Sequence, residues 1–95
     1  MSAYVIVLVE SITDPAALKE YRRLGGPTLQ QFNAKPRVLN GAFAVLEGKP
    51  LQGAVVLEFD TMEQAKAWYT SPAYQEAVKH RFKAATCQAV LVQGV

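Results

Sequence analysis

The chain has 95 residues, of which 51% are hydrophobic, and a net charge of +2. This length and composition exclude a disordered chain and predict one folded domain over residues 1–95. Because the charge is small and acidic and basic residues are interspersed, we expect no nucleic-acid partner.

The first apolar segment, Ala3–Val9, is too short to cross a bilayer, and no basic segment precedes it as in a signal peptide. The single cysteine, Cys87, cannot form an internal disulfide, which favours a reducing compartment. We therefore expect a cytoplasmic protein with no membrane partner. Since no base adjoins Cys87, we interpret it as a small half-buried residue rather than a nucleophile.

The first third of the chain predicts a strand and a helix. Ala3–Glu10 is β-branched and apolar at nearly every position, as in a strand. Asp14 followed by Pro15 is typical of a helix start, because Asp caps free amides and Pro suits the first turn. Pro27 disfavours helical backbone at Gly26, so we expect a kink or a split in this helix.

Two extended segments follow. Arg37–Glu47 has the composition of a strand, in which Asn40-Gly41 forms either a tight hairpin turn or a bulge in one long strand. The short arms on either side of Asn40-Gly41 favour the bulge. After a loop over residues 48–53, Ala54–Phe59 predicts the third strand.

The last third of the chain predicts two helical segments and a strand. Thr61 and Gln64 have capping-box spacing, and Ser71-Pro72 repeats the signal for a helix start, with this second segment ending at about Ala85. Gln88–Gln93 predicts the final strand. The order βαββαβ predicts an α+β, ferredoxin-like fold, a four-stranded antiparallel sheet with helices on one face.

Both faces of the predicted sheet are apolar. In the first strand Val5, Val7 and Val9 point to one side, while Ile6 and Leu8 point to the other. With helices on one face only, the other would expose on the order of 400 Å² of apolar surface, about 10 kcal/mol. We therefore expect a homodimer in which two sheets pack face to face.

Several motifs of this chain match one known family. They are Tyr4-Val5-Ile6, Asp14-Pro15, Glu20-Tyr21-Arg22, Leu46-Glu47-Gly48, Glu58-Phe59, Arg81, Val92-Gln93-Gly94 and, most specifically, Ala67-Trp68-Tyr69-x-Ser71-Pro72-x-Tyr74-Gln75. On these motifs nearly the whole chain resembles the uncharacterised bacterial family called domain of unknown function thirteen-thirty, within the dimeric α/β-barrel superfamily. The resemblance implies the ferredoxin-like fold and a dimer, and it implies no reaction.

Arg81 is the most informative candidate residue. It lies on the apolar stripe that Tyr74, Val78 and Phe82 form in the last helix, where a charge needs a partner or a route to water. One interpretation is structural, with an exposed guanidinium or an ion pair to Glu58. The other is a guanidinium that binds a ligand carboxylate or phenolate.

The aromatic residues near Arg81 also have two interpretations. Tyr21, Trp68, Tyr69 and Tyr74 either pack as core or form the walls of a small pocket between the last helix and the sheet. In the second case, Arg81 anchors a small anionic or phenolic ligand.

Two residues are candidates for catalysis. His80 is the only histidine, and histidine is the residue type best suited to exchange protons near neutral pH, so it is a candidate general base at the rim of such a pocket. Glu58 is a candidate acid, or a structural partner of Arg81. One histidine provides no metal-ligand cluster, and the chain has no nucleotide-binding motif. Val7 stands where haem-degrading relatives of the fold have Asn, so we expect no haem, flavin or metal cofactor.

Two functional hypotheses remain from the sequence. The first is a cofactor-independent enzyme or binding protein for a compact organic molecule. The second is a non-catalytic dimeric module in which the aromatic cluster only packs. A haem-degrading or quinone-forming monooxygenase is less favoured.

Overall fold

A computed structural model describes all 95 residues and contains one four-stranded antiparallel sheet with three helices on one of its faces. The strand order is β2-β3-β1-β4. The expected α+β, ferredoxin-like fold is confirmed. The elements are β1 (Ala3–Ile12), α1 (Pro15–Gln31), β2 (Lys35–Leu39), β3 (Gly53–Phe59), α2 (Met62–Thr70), α3 (Pro72–Ala84) and β4 (Ala85–Gln93).

The register of the sheet separates its two faces. Val5 of β1 lies opposite Leu57 of β3, and this set of side chains packs against the helices. Ile6 lies opposite Val56 on one side and Val90 on the other, and this second set forms the open face. Around Ile6, Val56 and Val90 the open face is apolar, as the sequence predicts.

The core lies between the sheet and the helices. Phe59, Trp68 and Tyr74 are its largest fully buried side chains. The Trp68 indole N–H donates a hydrogen bond to the Thr28 hydroxyl at 3.0 Å, and that hydroxyl donates to the Gly25 carbonyl at 2.5 Å. This chain of hydrogen bonds fixes α2 against α1 and satisfies the buried polar groups of both side chains.

The predicted helix starts are confirmed. The side chains of Asp14 and Thr61 each accept a hydrogen bond from an amide three residues later. The Ser71 hydroxyl donates to the Trp68 carbonyl at 2.7 Å and accepts from the Tyr74 amide at 3.3 Å. Ser71 therefore ends α2 and begins α3. None of the three helices has the length and apolar character needed to span a membrane.

A kink or a split was expected in the first helix at Pro27, and the split is wrong. α1 continues from Pro15 to Gln31 with Pro27 inside it. Gly25 is buried where α1 packs on α3, and a Cβ atom there would lie 3.5 Å from the Cβ of Ala77. Because proline removes only one helical hydrogen bond, the packing of α1 against α3 keeps the helix continuous.

The expected long second strand is also wrong. β2 ends at Leu39, Asn40 adopts a left-handed backbone with φ 56°, and residues 40–52 form a loop. The bulge lies between Pro36 and Val38 instead of at Asn40-Gly41. β3 pairs antiparallel with β2 and begins only at Gly53, so it offers no partner to the residues that follow Asn40. β4 begins at residue 85, three residues before the predicted start.

Candidate functional site

A cavity of about 540 Å³ lies between α1, α3 and the helix-facing side of the sheet. Val7, Val55 and Leu57 form its floor on the sheet, and Leu18 and Leu29 contribute apolar side chains from α1. Twelve of the eighteen residues that line it are hydrophobic. A ligand in this cavity would therefore bury a mostly apolar body.

Four predicted site residues line this cavity together. Tyr21 reaches it from α1, Trp68 from α2, and Tyr74 and Arg81 from α3. Tyr74 and Arg81 share one face of α3 because they are seven residues, or two turns, apart. Both charged residues in the lining, Arg81 and Arg22, are basic, and no aspartate or glutamate lines the cavity.

Arg81 is buried without an ion-pair partner. Its side chain is 6% exposed, it takes part in none of the four ion pairs of the structure, and its Nε–H has no hydrogen-bond acceptor. The guanidinium carbon lies 5.7 Å from the ring centroid of Tyr21, within cation–π range. A buried guanidinium without an anion is costly, so this arrangement favours a negatively charged partner from outside the chain.

The charge on Arg81 is maintained despite its burial. Arginine is protonated at all ordinary pH values. The cavity therefore carries a permanent positive charge.

Tyr21 and Tyr74 form a hydroxyl pair in the cavity. Their hydroxyl oxygens lie 2.8 Å apart, and their rings meet edge to face with centroids 6.1 Å apart. Burial and the neighbouring Tyr21 raise the pKa of Tyr74 well above its usual value, so Tyr74 keeps its proton at neutral pH. The pair can donate a hydrogen bond to a ligand but does not supply a negative charge to Arg81.

Trp68 and Tyr69 have different places. Trp68 packs on Tyr74 with ring centroids 4.0 Å apart and lines the cavity. Tyr69 contacts the outer side of this aromatic cluster, is 38% exposed and does not line the cavity. It borders a smaller space of about 350 Å³ between α2 and β4 instead. Of the aromatic residues that the sequence offered as walls of the cavity, Tyr21, Trp68 and Tyr74 line it and Tyr69 does not.

Neither catalytic candidate lines the cavity. Glu58 is on the open face of the sheet, where its carboxylate accepts hydrogen bonds from Arg37 at 2.7 Å and from Ser2 at 2.5 Å. Hydrogen bonds from Ser2 and then Arg37 lower the pKa of Glu58. The expected Glu58–Arg81 ion pair is absent because strand alternation puts Glu58 on the other face. His80 is half-buried on α3, outside the cavity.

The expected orientation of Phe82 is wrong. It is 62% exposed, and the buried face of α3 runs through Tyr74, Val78 and Arg81. Phe82 instead lies beside the Arg81 guanidinium, with its ring centroid 5.6 Å from Cζ.

Four residues that the sequence did not indicate as site residues also line the cavity. They are Arg22, Asn40, Gln52 and Cys87. Cys87 is half-buried and opposite Val9 in the sheet, so it shares the helix-facing side with Leu91. Strand alternation predicts this orientation of Cys87 only when β4 includes it, and β4 begins at Ala85 instead of the predicted Gln88. Asn40 and Gln52 come from the two ends of the β2–β3 loop. The structure contains no group of three metal-ligating side chains.

Solved structures with this fold come from several bacteria. A protein of unknown function from Rhodopseudomonas palustris is 22% identical with a TM-score of 0.77, over 99% of this chain and 82% of that one. A dimeric ferredoxin-like protein of unknown function from Jannaschia is 11% identical with a TM-score of 0.73, over 99% and 100%. SnoaB, a cofactor-independent oxygenase from Streptomyces nogalater, is 8% identical with a TM-score of 0.63, over 98% and 91%.

At these identities the structural similarities show the fold alone. No curated protein sequence matches this chain. The family described as Domain of unknown function (DUF1330) matches residues 2–95. Since the match spans nearly the whole sequence, the chain belongs to this family.

Proposed function

We propose that this protein binds a compact organic anion, a carboxylate or a phenolate, in the cavity between α1, α3 and the sheet. The observation that carries the proposal is Arg81, which is 6% exposed, forms no ion pair and lines a cavity without an acidic residue. A buried charge is normally paired within the protein, so an unpaired one in a cavity is typical of a ligand site.

The shape and lining of the cavity support a ligand with an apolar body. A volume of about 540 Å³ is within the range of small-molecule sites. Trp68 offers a flat aromatic surface, and Leu57 and Val55 offer aliphatic surfaces to the body of a ligand. Arg81 offers a positive charge to the polar end of that ligand. An aromatic acid or phenol satisfies both requirements.

The geometry supports binding rather than acid–base catalysis. His80 and Glu58 are absent from the cavity lining, so neither catalytic candidate is placed to exchange a proton with a ligand there. SnoaB acts without a cofactor, but at 8% identity its activity does not carry over to this chain.

We also propose that the protein is a homodimer formed through the open face of the sheet. Val38, Val90 and Val92 on that face are 38–46% exposed in the single chain, a large apolar area for a monomer surface. The similar proteins from Jannaschia and Bacteroides fragilis are described as dimeric. A cytoplasmic location fits the single thiol of Cys87.

The binding proposal can be tested by isothermal titration with benzoate, 2-naphthoate, phenol and 2-naphthol. We expect at least one of these probes to bind the wild-type protein, and Arg81→Ala to weaken that binding by a factor of ten or more. Arg23→Ala is the matched control, because Arg23 is an exposed arginine paired with Glu20 on α1. If no probe binds, or if Arg81→Ala binds as tightly as the wild type, the cluster only packs and the proposal is wrong.

A further inference from the structure

The polar groups around Arg81 contain more hydrogen-bond donors than acceptors. The hydroxyls of Tyr21 and Tyr74 have two protons between them but share one hydrogen bond, so one O–H proton remains for another partner. The Arg81 guanidinium has five N–H donors and no acceptor. No carboxylate of the chain lines the cavity to accept from either group.

The two tyrosines of the pair differ in burial. Tyr74 is 1% exposed, while Tyr21 is half-buried, and both line the same cavity as Arg81. The guanidinium carbon lies 5.7 Å from the Tyr21 ring centroid, so the Tyr21 ring and the positive charge border the same space. A group that accepts hydrogen bonds and donates none would satisfy the hydroxyl and the guanidinium together.

Building on the proposed function, we infer that the polar end of the ligand is a carboxylate, which Arg81 and the Tyr21–Tyr74 hydroxyl pair select over a phenol or an amide. An ionised carboxylate only accepts hydrogen bonds and offers about four lone-pair positions. One oxygen can accept from the guanidinium and the other from the hydroxyl. Tyr21, which is in the more accessible part of the pair, is then a specificity-determining residue.

The competing groups fit this set of donors less well. A phenol has a pKa of about 10, so only on the order of one molecule in a thousand is ionised at pH 7, and the neutral form brings a further O–H donor. A primary amide has the shape of a carboxylate but only one accepting oxygen, so its NH2 donors must face either the guanidinium or the hydroxyl pair. A phosphate ester would bring up to two charges to a cavity with one buried cation.

The test keeps the apolar body constant and changes only the polar group. The probes are 2-naphthoate, 2-naphthamide and 2-naphthol, titrated into the wild-type protein at pH 7 by calorimetry. We expect 2-naphthoate to bind at least 30-fold more tightly than 2-naphthamide. Between pH 7 and pH 10 the affinity for 2-naphthoate should change little, and that for 2-naphthol should rise as this probe ionises.

Tyr21→Phe tests the role of the hydroxyl. It should weaken 2-naphthoate binding about five- to tenfold and leave 2-naphthamide binding nearly unchanged. The matched control is Tyr69→Phe, since Tyr69 packs on the same aromatic cluster without lining the cavity. The same affinity for 2-naphthoate in Tyr21→Phe and wild type would contradict the role of Tyr21.

The outcomes separate this inference from the proposal on which it rests. If 2-naphthol binds in an Arg81-dependent manner but 2-naphthoate binds no better than 2-naphthamide, the carboxylate inference is wrong and the binding proposal stands. If none of the three probes, nor benzoate nor phenol, binds the wild type, the binding proposal itself is wrong. The wild-type series needs no variant, so a folding defect in Tyr21→Phe does not affect it.

Discussion

The indole nitrogen of Trp68 donates a hydrogen bond to the Thr28 hydroxyl at 3.0 Å, although the two residues are forty positions apart in the chain. Thr28 is 2% exposed, and its hydroxyl donates a hydrogen bond to the Gly25 carbonyl. This contact holds α2 against α1 beside the cavity and sets the position of the Trp68 ring there.

Thr28→Val should therefore destabilise the protein. The substitution keeps the shape of the side chain but leaves the Trp68 N–H buried without an acceptor, which costs about 1–3 kcal/mol. The free energy of unfolding in urea measures this. Thr70→Val is the control, because the Thr70 hydroxyl is exposed and should cost less than about 0.5 kcal/mol. Equal losses in both variants would contradict the account of the Trp68–Thr28 contact.

A lysine at Val56 should disrupt the proposed dimer. Val56 lies on the open face of the sheet opposite Ile6, where a second sheet would bury it, and burying an unpaired charge is strongly unfavourable. Light scattering at micromolar concentration should give the wild type about twice the 10.4 kDa chain mass. Val56→Lys should run at the chain mass or unfold, and Ala67→Lys, on an exposed position of α2, should remain dimeric. A wild-type protein that stays folded as a monomer would contradict the proposal.

Arg22 should steer anionic ligands toward the cavity. It lines the cavity, is exposed and forms no ion pair in the structure. Arg22→Ala should weaken 2-naphthoate binding by about two- to fivefold at low salt, and the difference should vanish in 1 M salt because screening removes interactions between exposed charges. Calorimetric titrations at two salt concentrations measure this. A difference that persists in 1 M salt would indicate direct contact instead.

Glu58 should make stability depend on acid pH. Its pKa is lowered by hydrogen bonds from Ser2 and Arg37, so its ionised form stabilises the folded state. That contribution is fully present above the unfolded-state pKa and is lost as the pH falls through the lower folded-state pKa. Glu58→Gln should therefore be less stable than the wild type at pH 7, and the gap should narrow between about pH 5 and pH 3.

Urea midpoints measured at several pH values from 7 to 3 check this dependence. Glu47→Gln, in the exposed loop and outside the ion pairs of the structure, is the control and should show no such convergence. A gap between Glu58→Gln and the wild type that does not change with pH would contradict the assignment.

The fold was predictable because its signals are local. Asp14, Thr61 and Ser71 cap helices through their own side chains, and the residue types alone indicate this. The apolar character of both sides of β1 can likewise be read from strand alternation. These features do not depend on distant parts of the chain.

The errors concern residues whose environment is set by distant contacts. Pro27 stays helical because Gly25 packs against α3, and β2 stops at Leu39 because β3 begins late. Glu58 and Arg81 were expected to pair, but the helices pack on the face of β3 opposite Glu58, which lies beside Arg37 instead. Contacts between elements that are distant in the chain decide each case, and such contacts cannot be read from the local sequence.

The identity of the site residues was only partly accessible from sequence. Arg81 was recognisable because a charged residue on an apolar helical stripe needs a partner or a route to water. Cys87 and Arg22 gave no comparable signal, since each has an ordinary place in its own element. Only the packing of α1 over the sheet brings them to one cavity.

We propose that the buried charge of Arg81 binds a ligand and does not stabilise the fold. The most direct test of this claim is the free energy of unfolding of Arg81→Met, measured in urea without ligand at a fixed protomer concentration. An apolar side chain of similar length removes an uncompensated charge, so we predict that Arg81→Met is about 1–4 kcal/mol more stable than the wild type. If Arg81→Met is instead several kcal/mol less stable, Arg81 is a structural residue and the claim is contradicted.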